Sequence, residues 1–389
     1  MALRGGKVLT PGGELAPHTL LVEGARIQGL LQPGEPLPLD YQAVDVSGCI
    51  VAPGFIDTHV HGVMGRNFMQ GTCDAFAAIS GYLLQGGVTA CLATTTSAPL
   101  PDLQRALGWA ASQTRQPAEG SVEVLGAHLE GPFVDPRHKG SHAEAFIRSV
   151  ANGDLQAIVE AAGAALKVAT LAPELPGGIE ATRFFAGKGV QVSIGHTGAT
   201  YQQAKEFLHN GGRRGTHVFN GMPPIHHREP GPVVALVEDA STFLELTVDG
   251  RHVSPAMVAM VTRLVGPERV ILISDCADVA GLGDGTFTRW EGTEVVVQDG
   301  EARTRSGSLA GSLLRLDRAV ANVVRMVGLP LAAALRMASE TPARAIGAID
   351  RKGTLSPGKD ADVVVLDGGL SVVLTLARGQ IVFDRREFS

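Results

Sequence analysis

The stretch Pro53-Gly54-Phe55-Ile56-Asp57-Thr58-His59-Val60-His61-Gly62 decides how the rest of the chain is interpreted. It is an apolar strand that finishes in a His-x-His pair, and residues two apart on a strand point to the same face. His59 and His61 can therefore reach one ion, and neutral imidazole suits zinc, iron or nickel. The pair predicts a metal site, although a satisfied core histidine is the ordinary alternative for either residue alone.

Four further residues that suit a metal centre follow short apolar runs: Glu130, His196, His217 and Asp275. The carboxyl ends of successive parallel strands converge, so residues far apart in sequence can share one site. A bridging carboxylate and an acid that handles water would complete a hydrolytic centre, and Glu130 and Asp275 are the candidates for these two roles. A structural ion pair is the alternative for Glu130, but the chain turns at once after it, which favours a site.

Strands and helices alternate in the middle of the chain. Eight candidate strands end at His61, at Thr94 to Thr96, at Glu130, at Pro173, at His196, at His217, near Asp249 and at Asp275. Helical stretches between them include 74–84, 103–111, 155–162 and 201–209. Eight such units predict an α/β fold, a (β/α)₈ barrel whose active site lies at the carboxyl ends of the strands. Residues 288–298 predict an additional hairpin.

Both ends of the chain are strand-rich and helix-poor. Neither end is long enough to bury a core alone, so we expect the two to pair into one small β-sandwich beside the barrel. The predicted organisation is residues 1–52 for the N-terminal part of the sandwich, 53–349 for the barrel and 350–389 for the C-terminal part of the sandwich.

Composition excludes several classes of protein. Of the 389 residues, 44% are hydrophobic and 19% charged, which is typical of a globular protein. The formal net charge of -6 gives no broad basic field for nucleic acid or an anionic membrane. No secretory signal and no long apolar span is evident, so we expect a cytoplasmic protein without a membrane partner. Four widely spaced cysteines indicate neither a disulfide framework nor a zinc knuckle.

Together these motifs resemble the amidohydrolase superfamily and, within it, the N-acetylglucosamine-6-phosphate deacetylase family. The wider resemblance rests on the 53–62 motif, on the single histidines that end strands five and six, and on Asp275 at the end of strand eight. The narrower one rests on denser runs, whose order and spacing cover nearly the whole chain. They are Leu129-Glu130-Gly131-Pro132-Phe133, Lys139-Gly140-Ser141-His142, Leu171-Ala172-Pro173-Glu174, Gly195-His196-Thr197, Thr216-His217-Val218-Phe219-Asn220-Gly221-Met222, Asp249-Gly250-Arg251-His252, Ser274-Asp275 and Leu309-Ala310-Gly311-Ser312.

The resemblance implies metal-dependent hydrolysis of the N-acetyl group of N-acetylglucosamine 6-phosphate, giving glucosamine 6-phosphate and acetate in amino sugar catabolism or recycling. It implies a divalent ion, with Zn²⁺ first and Fe²⁺, Mn²⁺ or Co²⁺ as alternatives. The principal ion is expected on Glu130, His196 and His217. A second is expected on His59 and His61, with Glu130 bridging and Asp275 contributing. Some family members lack the His-x-His pair and use one metal, so one or two ions per subunit are expected.

Strand four separates this chain from other branches of the superfamily. Dihydroorotase-like and urease-like members resemble one another in bridging two metals with a carboxylated lysine there. In this chain Lys167 lies at the beginning of strand four, away from its carboxyl end. Glu130 on strand three is therefore expected to serve instead.

The resemblance also implies catalytic and substrate-binding residues. Asp275 is expected to take a proton from water and give it to the leaving amine, and His142 to polarise the acetyl carbonyl unless it is a plain loop residue. Arg228 resembles an arginine donated across a dimer interface, which implies a homodimer in which it lies near the partner's active site; a solvated surface residue is the alternative. The expected substrate-binding residues are Ser141, His142, Asn220, Gly221, Arg228, His252, Leu309, Ala310 and Gly311, with a tight turn as the alternative role for Gly311.

Two other functions stay open from the sequence. One is a related amidohydrolase that acts on another N-acyl substrate, such as N-acetylgalactosamine 6-phosphate or an N-acyl amino acid. The other is a non-catalytic barrel that serves assembly, which the sequence disfavours because no expected ligand position is replaced.

Overall fold

Eight parallel strands form the barrel on which the candidate site is built. The computed structural model describes residues 1–150 and 152–386. We label the barrel strands β1 to β8, and each pairs with the next in sequence order. Their bounds are Phe55–Val60, Val88–Thr94, Glu123–Glu130, Leu166–Leu171, Gln191–Ile194, Gly212–Gly215, Phe243–Leu246 and Val270–Leu272. The Asp275 backbone N–H donates to the His59 carbonyl at 2.9 Å and joins the end of β8 to the end of β1. The predicted (β/α)₈ barrel is confirmed.

Helices connect the strands. Their bounds are Cys73–Gln85, Leu100–Arg115, Asn152–Ala162, Gly178–Gly187, Tyr201–His209, Gly231–Glu238, Pro255–Val265, Leu316–Asn322, Leu331–Ala338 and Glu340–Ala345. The four helices predicted from sequence are all present, and the first three extend beyond their predicted limits. Local capping explains where some begin: the Thr200 side chain accepts from the Gln203 N–H, and the Gln203 side chain accepts from the Thr200 N–H in return.

One expectation about the strands was wrong in detail, and a second strand ends slightly earlier than the residue used to mark it. The strand before His217 is Gly212-Arg213-Arg214-Gly215 and is not an apolar run. It is tolerated inside the barrel because the buried guanidinium of Arg214 is paired with the Glu245 carboxylate at 2.6 Å. Strand β7 ends at Leu246, shortly before Asp249. The residues from there to Asp249 therefore belong to a loop above the barrel rather than to its wall.

Residues from both ends of the chain build two further sheets. The four-stranded sheet contains Ala2–Arg4, Thr19–Glu23, Arg26–Leu31 and Ala43–Asp45. The six-stranded sheet contains Lys7–Leu9, Leu15–Ala16, Ile50–Pro53, Val363–Leu366, Val372–Ala377 and Gln380–Asp384. Apolar residues of both sheets, including Leu3, Leu20, Val51 and Val363, pack in a shared core. This is the additional sheet structure expected from the two ends, while the exact limits at residues 52 and 349 stay predictions.

Shorter elements complete the described chain. A three-stranded sheet of Gly285–Thr288, Glu294–Gln298 and Glu301–Thr304 replaces the simple hairpin expected at 288–298. A small hairpin pairs Gly62–Val63 with Arg66–Asn67, and single helical turns span Phe68–Gln70, Pro136–His138, Glu144–Phe146, Gly163–Ala165 and Val323–Val327. Among the residues described, no helix is long and apolar enough to cross a membrane.

A buried lysine ties the barrel to the six-stranded sheet, and we predict that its loss is destabilising. The ammonium of Lys352 lies 2.8 Å from Glu123 at the start of β3 and 3.0 Å from Asp360, and it also pairs with Asp362. Replacing Lys352 with Met would leave these carboxylates buried together, and removing one member of such a cluster costs about 3–5 kcal/mol. Urea unfolding should show this loss, whereas Lys205→Met, which breaks an exposed pair with Glu238, should cost less than about 1 kcal/mol. Equal effects of the two substitutions would contradict the prediction.

Candidate metal centre and active site

The carboxyl ends of the barrel strands surround a cavity. Parallel barrels place their chemistry at this face because the loops that follow the strands meet there. The residues that line the cavity come from distant parts of the chain and are His61, Thr96, Glu130, Gly140, Ser141, His142, His196, His217, Asn220, Gly221, His252, Asp275, Arg289, Ser308, Leu309 and Gly311. Most of the residues singled out from the sequence therefore share one site.

The carboxylate of Glu130 lies at the centre of this cluster. Its Oε1 atom is 3.0 Å from Nε2 of His217 and 3.3 Å from Nε2 of both His59 and His196. Its Oε2 atom is 3.1 Å from Nε2 of His61. One carboxylate thus contacts histidines of both predicted ligand sets, which is the arrangement expected of a bridging ligand.

In two of these histidines, the hydrogen-bond partner of Nδ1 determines which ring nitrogen carries the proton. The Nδ1 atom of His196 lies 2.9 Å from the carbonyl oxygen of His138, which can only accept, so Nδ1 carries the proton. The Nδ1 atom of His59 lies 2.9 Å from the Glu245 carboxylate and is a donor for the same reason. In their neutral forms both residues turn an unprotonated Nε2 towards Glu130, so an electron pair faces a carboxylate oxygen in each contact.

These contacts are repulsive unless a cation lies among them, so the residues present fit a metal ion. Imidazole nitrogen together with carboxylate oxygen is the donor set of zinc, iron and related divalent ions. Three groups of donor atoms are close enough to share an ion. Two of them include residues that line the cavity: His59 with His61 and Asp275, and Glu130 with His142 and His196. The third is His59, His128 and Glu245. The cluster accordingly supports one or two divalent ions without deciding which metal binds.

Electrostatics in the absence of a metal favours positive charge at the same place. Burial lowers the pKa of His59, but the carboxylates of Glu130, Glu245 and Asp275 outweigh burial and raise that pKa well above its ordinary value. Burial would raise the pKa of Glu130, but His59 and hydrogen bonds from other histidines hold it well below its usual range. The carboxylates are therefore ionised and ready to bind a cation.

Backbone geometry distinguishes three of the ligand candidates. His196 has a φ of 47°, His217 a φ of 28° and Asp275 a φ of 49°, all in the left-handed region that non-glycine residues rarely adopt. Each follows a barrel strand by at least one residue, at the point where the chain leaves the wall. Such conformations cost about 1–3 kcal/mol each and cluster at functional sites. Sequence patterns gave no sign of this feature.

His142 is held as a neutral hydrogen-bond donor. The Ser97 backbone N–H donates to Nδ1 of His142 at 3.1 Å, so the ring proton of the neutral form is on Nε2. That Nε2 atom is 3.5 Å from Oε2 of Glu130 and faces the centre of the site. Burial, aided by repulsion from His196, lowers the pKa of His142 to about 4. The imidazole can therefore donate a proton in a hydrogen bond without carrying charge at neutral pH.

We predict that His142→Phe lowers kcat by about 10²–10³-fold, the usual loss of one oxyanion donor, with little change in KM. His142→Gln should recover part of the rate because its amide keeps an N–H at a similar position. Since the lowered pKa keeps His142 neutral throughout pH 5–8, it should contribute no limb to the pH profile of kcat in that range. Steady-state kinetics would refute this role if the Phe variant kept the full rate.

The Asp275 carboxylate contacts both histidines of the His-x-His pair. Its Oδ1 atom is 3.5 Å from Nε2 of both His59 and His61. Burial would raise the pKa of Asp275, but His59 and a hydrogen bond from His61 lower it well below its ordinary value. The side chain lines the cavity as an ionised carboxylate, so it can accept a proton there.

The predicted substrate residues divide into two groups. Ser141, His142, Asn220, Gly221, His252, Leu309 and Gly311 line the cavity, and Asp249 orients His252 through a 2.6 Å contact to its Nδ1 atom. Ala310 is fully buried and packs with residues of the three-stranded sheet instead, so its side chain does not face the cavity. Arg228 is exposed and does not line the cavity of its own chain; its guanidinium lies 2.8 Å from Nε2 of His227, the preceding residue in the same loop.

Four cavity residues were not predicted: Thr96, Gly140, Arg289 and Ser308. Arg289 is the most informative, because its buried guanidinium donates to the Ser141 hydroxyl at 3.1 Å and pairs with Asp278 at 3.2 Å. It reaches the cavity only because the three-stranded sheet folds over the barrel mouth. The hairpin signal at 288–298 could have drawn attention to Arg289, but not to that placement.

A sequence model of the amidohydrolase family matches residues 50–388. The chain belongs to the amidohydrolase family. It is 38% identical to the N-acetylgalactosamine-6-phosphate deacetylase of Escherichia coli O157:H7, over 97% of this chain and 98% of that protein. It is 37% identical to the N-acetylglucosamine-6-phosphate deacetylase of Vibrio furnissii, over 88% of this chain and 85% of that one.

Solved structures agree with this membership of the amidohydrolase family. An N-acetyl-D-glucosamine-6-phosphate deacetylase mutant from Mycobacterium smegmatis, in complex with N-acetyl-D-glucosamine-6-phosphate, superposes with a TM-score of 0.92. It shares 35% sequence identity, and the match covers 98% of this chain and 99% of that one. The barrel and the accompanying sheets are therefore those of this group of amidohydrolases.

Proposed function

We propose that this amidohydrolase removes the acetyl group of N-acetylglucosamine 6-phosphate by metal-dependent hydrolysis, giving glucosamine 6-phosphate and acetate in amino sugar catabolism or recycling. The observation that carries this function is the convergence of four histidine Nε2 atoms on the Glu130 carboxylate at the mouth of the barrel. Relatives with this activity at 32–37% identity support the choice of substrate.

The metal is a divalent ion, with Zn²⁺ as the first candidate. Glu130, His196 and His217 would hold one ion, and His59, His61, Glu130 and Asp275 a second. When bound, such an ion lowers the pKa of water from 15.7 towards about 7 and so supplies hydroxide at neutral pH. The remaining steps depend on the protein's own side chains.

Asp275 and His142 have different roles in the proposed reaction: Asp275 transfers the proton, and His142 stabilises the acetyl oxygen. Asp275 is ionised, so it accepts the proton of the attacking water and returns it to the leaving nitrogen as the C–N bond breaks. This transfer matters because an amine anion is a very poor leaving group. His142 donates its Nε2–H to the acetyl oxygen as negative charge develops there.

Recognition of the sugar phosphate is assigned to polar and apolar residues that line the cavity beside the metal ligands. Ser141, Asn220, the Gly221 amide and His252 offer polar groups there, while Leu309 and Gly311 border the acetyl and sugar end. We further propose a homodimer in which Arg228 of each subunit completes the phosphate site of the other. Its exposure and its absence from the lining of its own cavity support this arrangement.

We predict that Arg228→Met raises KM for N-acetylglucosamine 6-phosphate by about 10- to 100-fold, as expected for a lost charged hydrogen bond of about 1.5–3 kcal/mol. The value of kcat should change little, because the phosphate is remote from the reacting carbonyl. Arg183→Met, which removes another exposed arginine, should leave both constants unchanged. An unaltered KM in the Arg228 variant would remove this residue from the phosphate site.

A second candidate substrate is N-acetylgalactosamine 6-phosphate, favoured by the 38% identical Escherichia coli relative. The discriminating experiment measures acetate release from both phosphorylated sugars, from unphosphorylated N-acetylglucosamine and from an N-acetyl amino acid. The proposed function expects the highest kcat/KM with N-acetylglucosamine 6-phosphate. A higher kcat/KM with the galactose epimer would reassign the substrate, and equal rates without the phosphate would refute the phosphate site. A non-catalytic barrel would release acetate from none of them.

We also propose a cytoplasmic location. A sugar phosphate is charged and does not cross a lipid bilayer unaided, because moving its charge into hydrocarbon is too costly. An enzyme for such a substrate is expected on the side of the membrane where the phosphate is added.

A further inference from the structure

We propose that Glu245 and Arg214, a charged pair buried inside the barrel, position His59 as a metal ligand and so create the second metal position of the centre. The inference rests on the proposed metal-dependent function, and it assigns a task to two residues that neither contact the cavity nor act on a substrate.

Both oxygens of the Glu245 carboxylate accept hydrogen bonds. Glu245 lies on β7 and is fully buried. Its Oε1 atom accepts from Nε of Arg214 at 2.8 Å and lies 2.6 Å from Nη2 of the same guanidinium in an ion pair. Its Oε2 atom accepts from Nδ1 of His59 at 2.9 Å and from the backbone N–H of His217 at 3.2 Å. One side chain thus touches a residue of each predicted metal position.

The consequence for His59 is a fixed ring orientation. The carboxylate beside Arg214 accepts the proton of Nδ1, which turns the unprotonated Nε2 towards Glu130 at 3.3 Å and Asp275 at 3.5 Å. Histidine ligands are generally held by such an outer partner, which fixes the tautomer and raises the basicity of the coordinating nitrogen. Arg214 in turn neutralises Glu245, so the pair supplies an acceptor without adding net charge.

The other histidines lack an equivalent carboxylate support. His196 donates to a carbonyl oxygen. The Nδ1 atoms of His61 and His217 have no hydrogen-bond partner among the described residues. The carboxylate is therefore directed at His59, the residue whose side chain is most deeply enclosed beneath the centre.

The stability of the fold does not explain why the Arg214–Glu245 ion pair is buried in the barrel. Interior positions of such barrels are usually filled by branched aliphatic residues, and a buried ion pair often contributes less stability than apolar residues of similar volume. Arg214 leaves its Nη1 atom without a partner in the described part of the chain, which adds to the cost. Its placement is explained if Arg214 keeps the Glu245 side chain inside the barrel as the hydrogen-bond acceptor for Nδ1 of His59.

The test separates the hydrogen-bond acceptor from the charge. A single substitution would leave the other charge buried without a partner and could prevent folding, so both charges are removed together. The double variant Arg214→Met, Glu245→Gln keeps a carbonyl oxygen for Nδ1 of His59. The matched double variant Arg214→Met, Glu245→Leu keeps none. The readouts are Zn²⁺ bound per chain at defined free Zn²⁺ and thermal unfolding, with His59→Ala as the reference for a centre lacking this ligand.

We expect two ions per chain in the wild type and in the Gln variant, and one in the His59→Ala reference. In the Leu variant the second ion should bind about 10- to 100-fold more weakly, the usual effect of losing an outer partner. Wild-type affinity for two ions in the Leu variant would overturn the inference, as would a wild type that binds only one ion. A purely structural role predicts equal metal binding in both double variants, which would also overturn it.

Failure of this inference and failure of the proposed function are distinguishable. Metal binding is measured without substrate, so a two-ion centre that depends on Glu245 could be found in a protein that releases no acetate, and only the proposed function would then fail. Conversely, acetate release together with Glu245-independent metal binding would leave the proposed function intact and remove the inference.

Discussion

Glu130→Gln is expected to abolish acetate release, with a loss in kcat/KM of about 10⁴-fold or more, or roughly 5.5 kcal/mol of transition-state stabilisation. The substitution keeps the size of the side chain but removes the charge that contacts all four histidines of the centre. Without that charge the imidazole nitrogens face a neutral amide, so metal affinity should fall at both positions.

Elemental analysis of the Glu130→Gln protein should therefore find less than one tightly bound ion per chain. Glu160→Gln is the matched control, because Glu160 is exposed on the helix Asn152–Ala162, away from the cavity. That variant should retain wild-type metal content and rate. A Glu130→Gln protein with full metal content and full activity would show that the carboxylate does not hold the centre together.

Asp275→Asn should separate metal binding from proton transfer. The amide cannot accept the proton of water, and losing a general acid–base group costs about 10²–10⁴-fold in rate. The principal ion should remain, since Glu130, His196 and His217 are untouched, and the substrate should still bind. Calorimetric titration with N-acetylglucosamine 6-phosphate would test binding, and rapid-quench kinetics would test the chemical step.

The pH profile supplies a second check on Asp275. The general base must be ionised, and the pKa of Asp275 is lowered in the folded protein, so the active form persists as pH falls. Protonation of Asp275 should accordingly cause no loss of kcat/KM between pH 7 and pH 5. Asp74→Asn, at an exposed position in the first turn of the first helix, is the control. If Asp275→Asn kept more than a tenth of the rate, another group would have to be the base.

The barrel and its central residues were predictable because both follow from a repeated local pattern. Most of the barrel strands are rich in apolar residues, and residues at or just after the strand ends reach the shared mouth of the barrel. Glu130 and the histidine pair could be found in this way. His217 was also predicted as the end of an apolar run, but the strand before it carries Arg214 and is not apolar. The resemblance to a family motif supported the same residue independently.

The residues that escaped prediction depend on contacts between distant segments. Arg289 reaches the cavity through the fold of the three-stranded sheet, and Glu245 matters because of what lies opposite it inside the barrel. Ala310 lies in a motif that borders the site, yet its side chain points into a core, because neighbouring residues of an extended segment face opposite sides. Local patterns carry no information about such pairings.

The central claim is that a metal held by Glu130 and the histidines makes this barrel a deacetylase. Acetate release from N-acetylglucosamine 6-phosphate should be measured on one preparation as purified, after removal of metal by a chelator, and after return of Zn²⁺, with metal content determined at each stage. Activity that disappears with the metal and returns in proportion to the Zn²⁺ bound is the expected result. Undiminished acetate release from protein that contains no metal would contradict the claim.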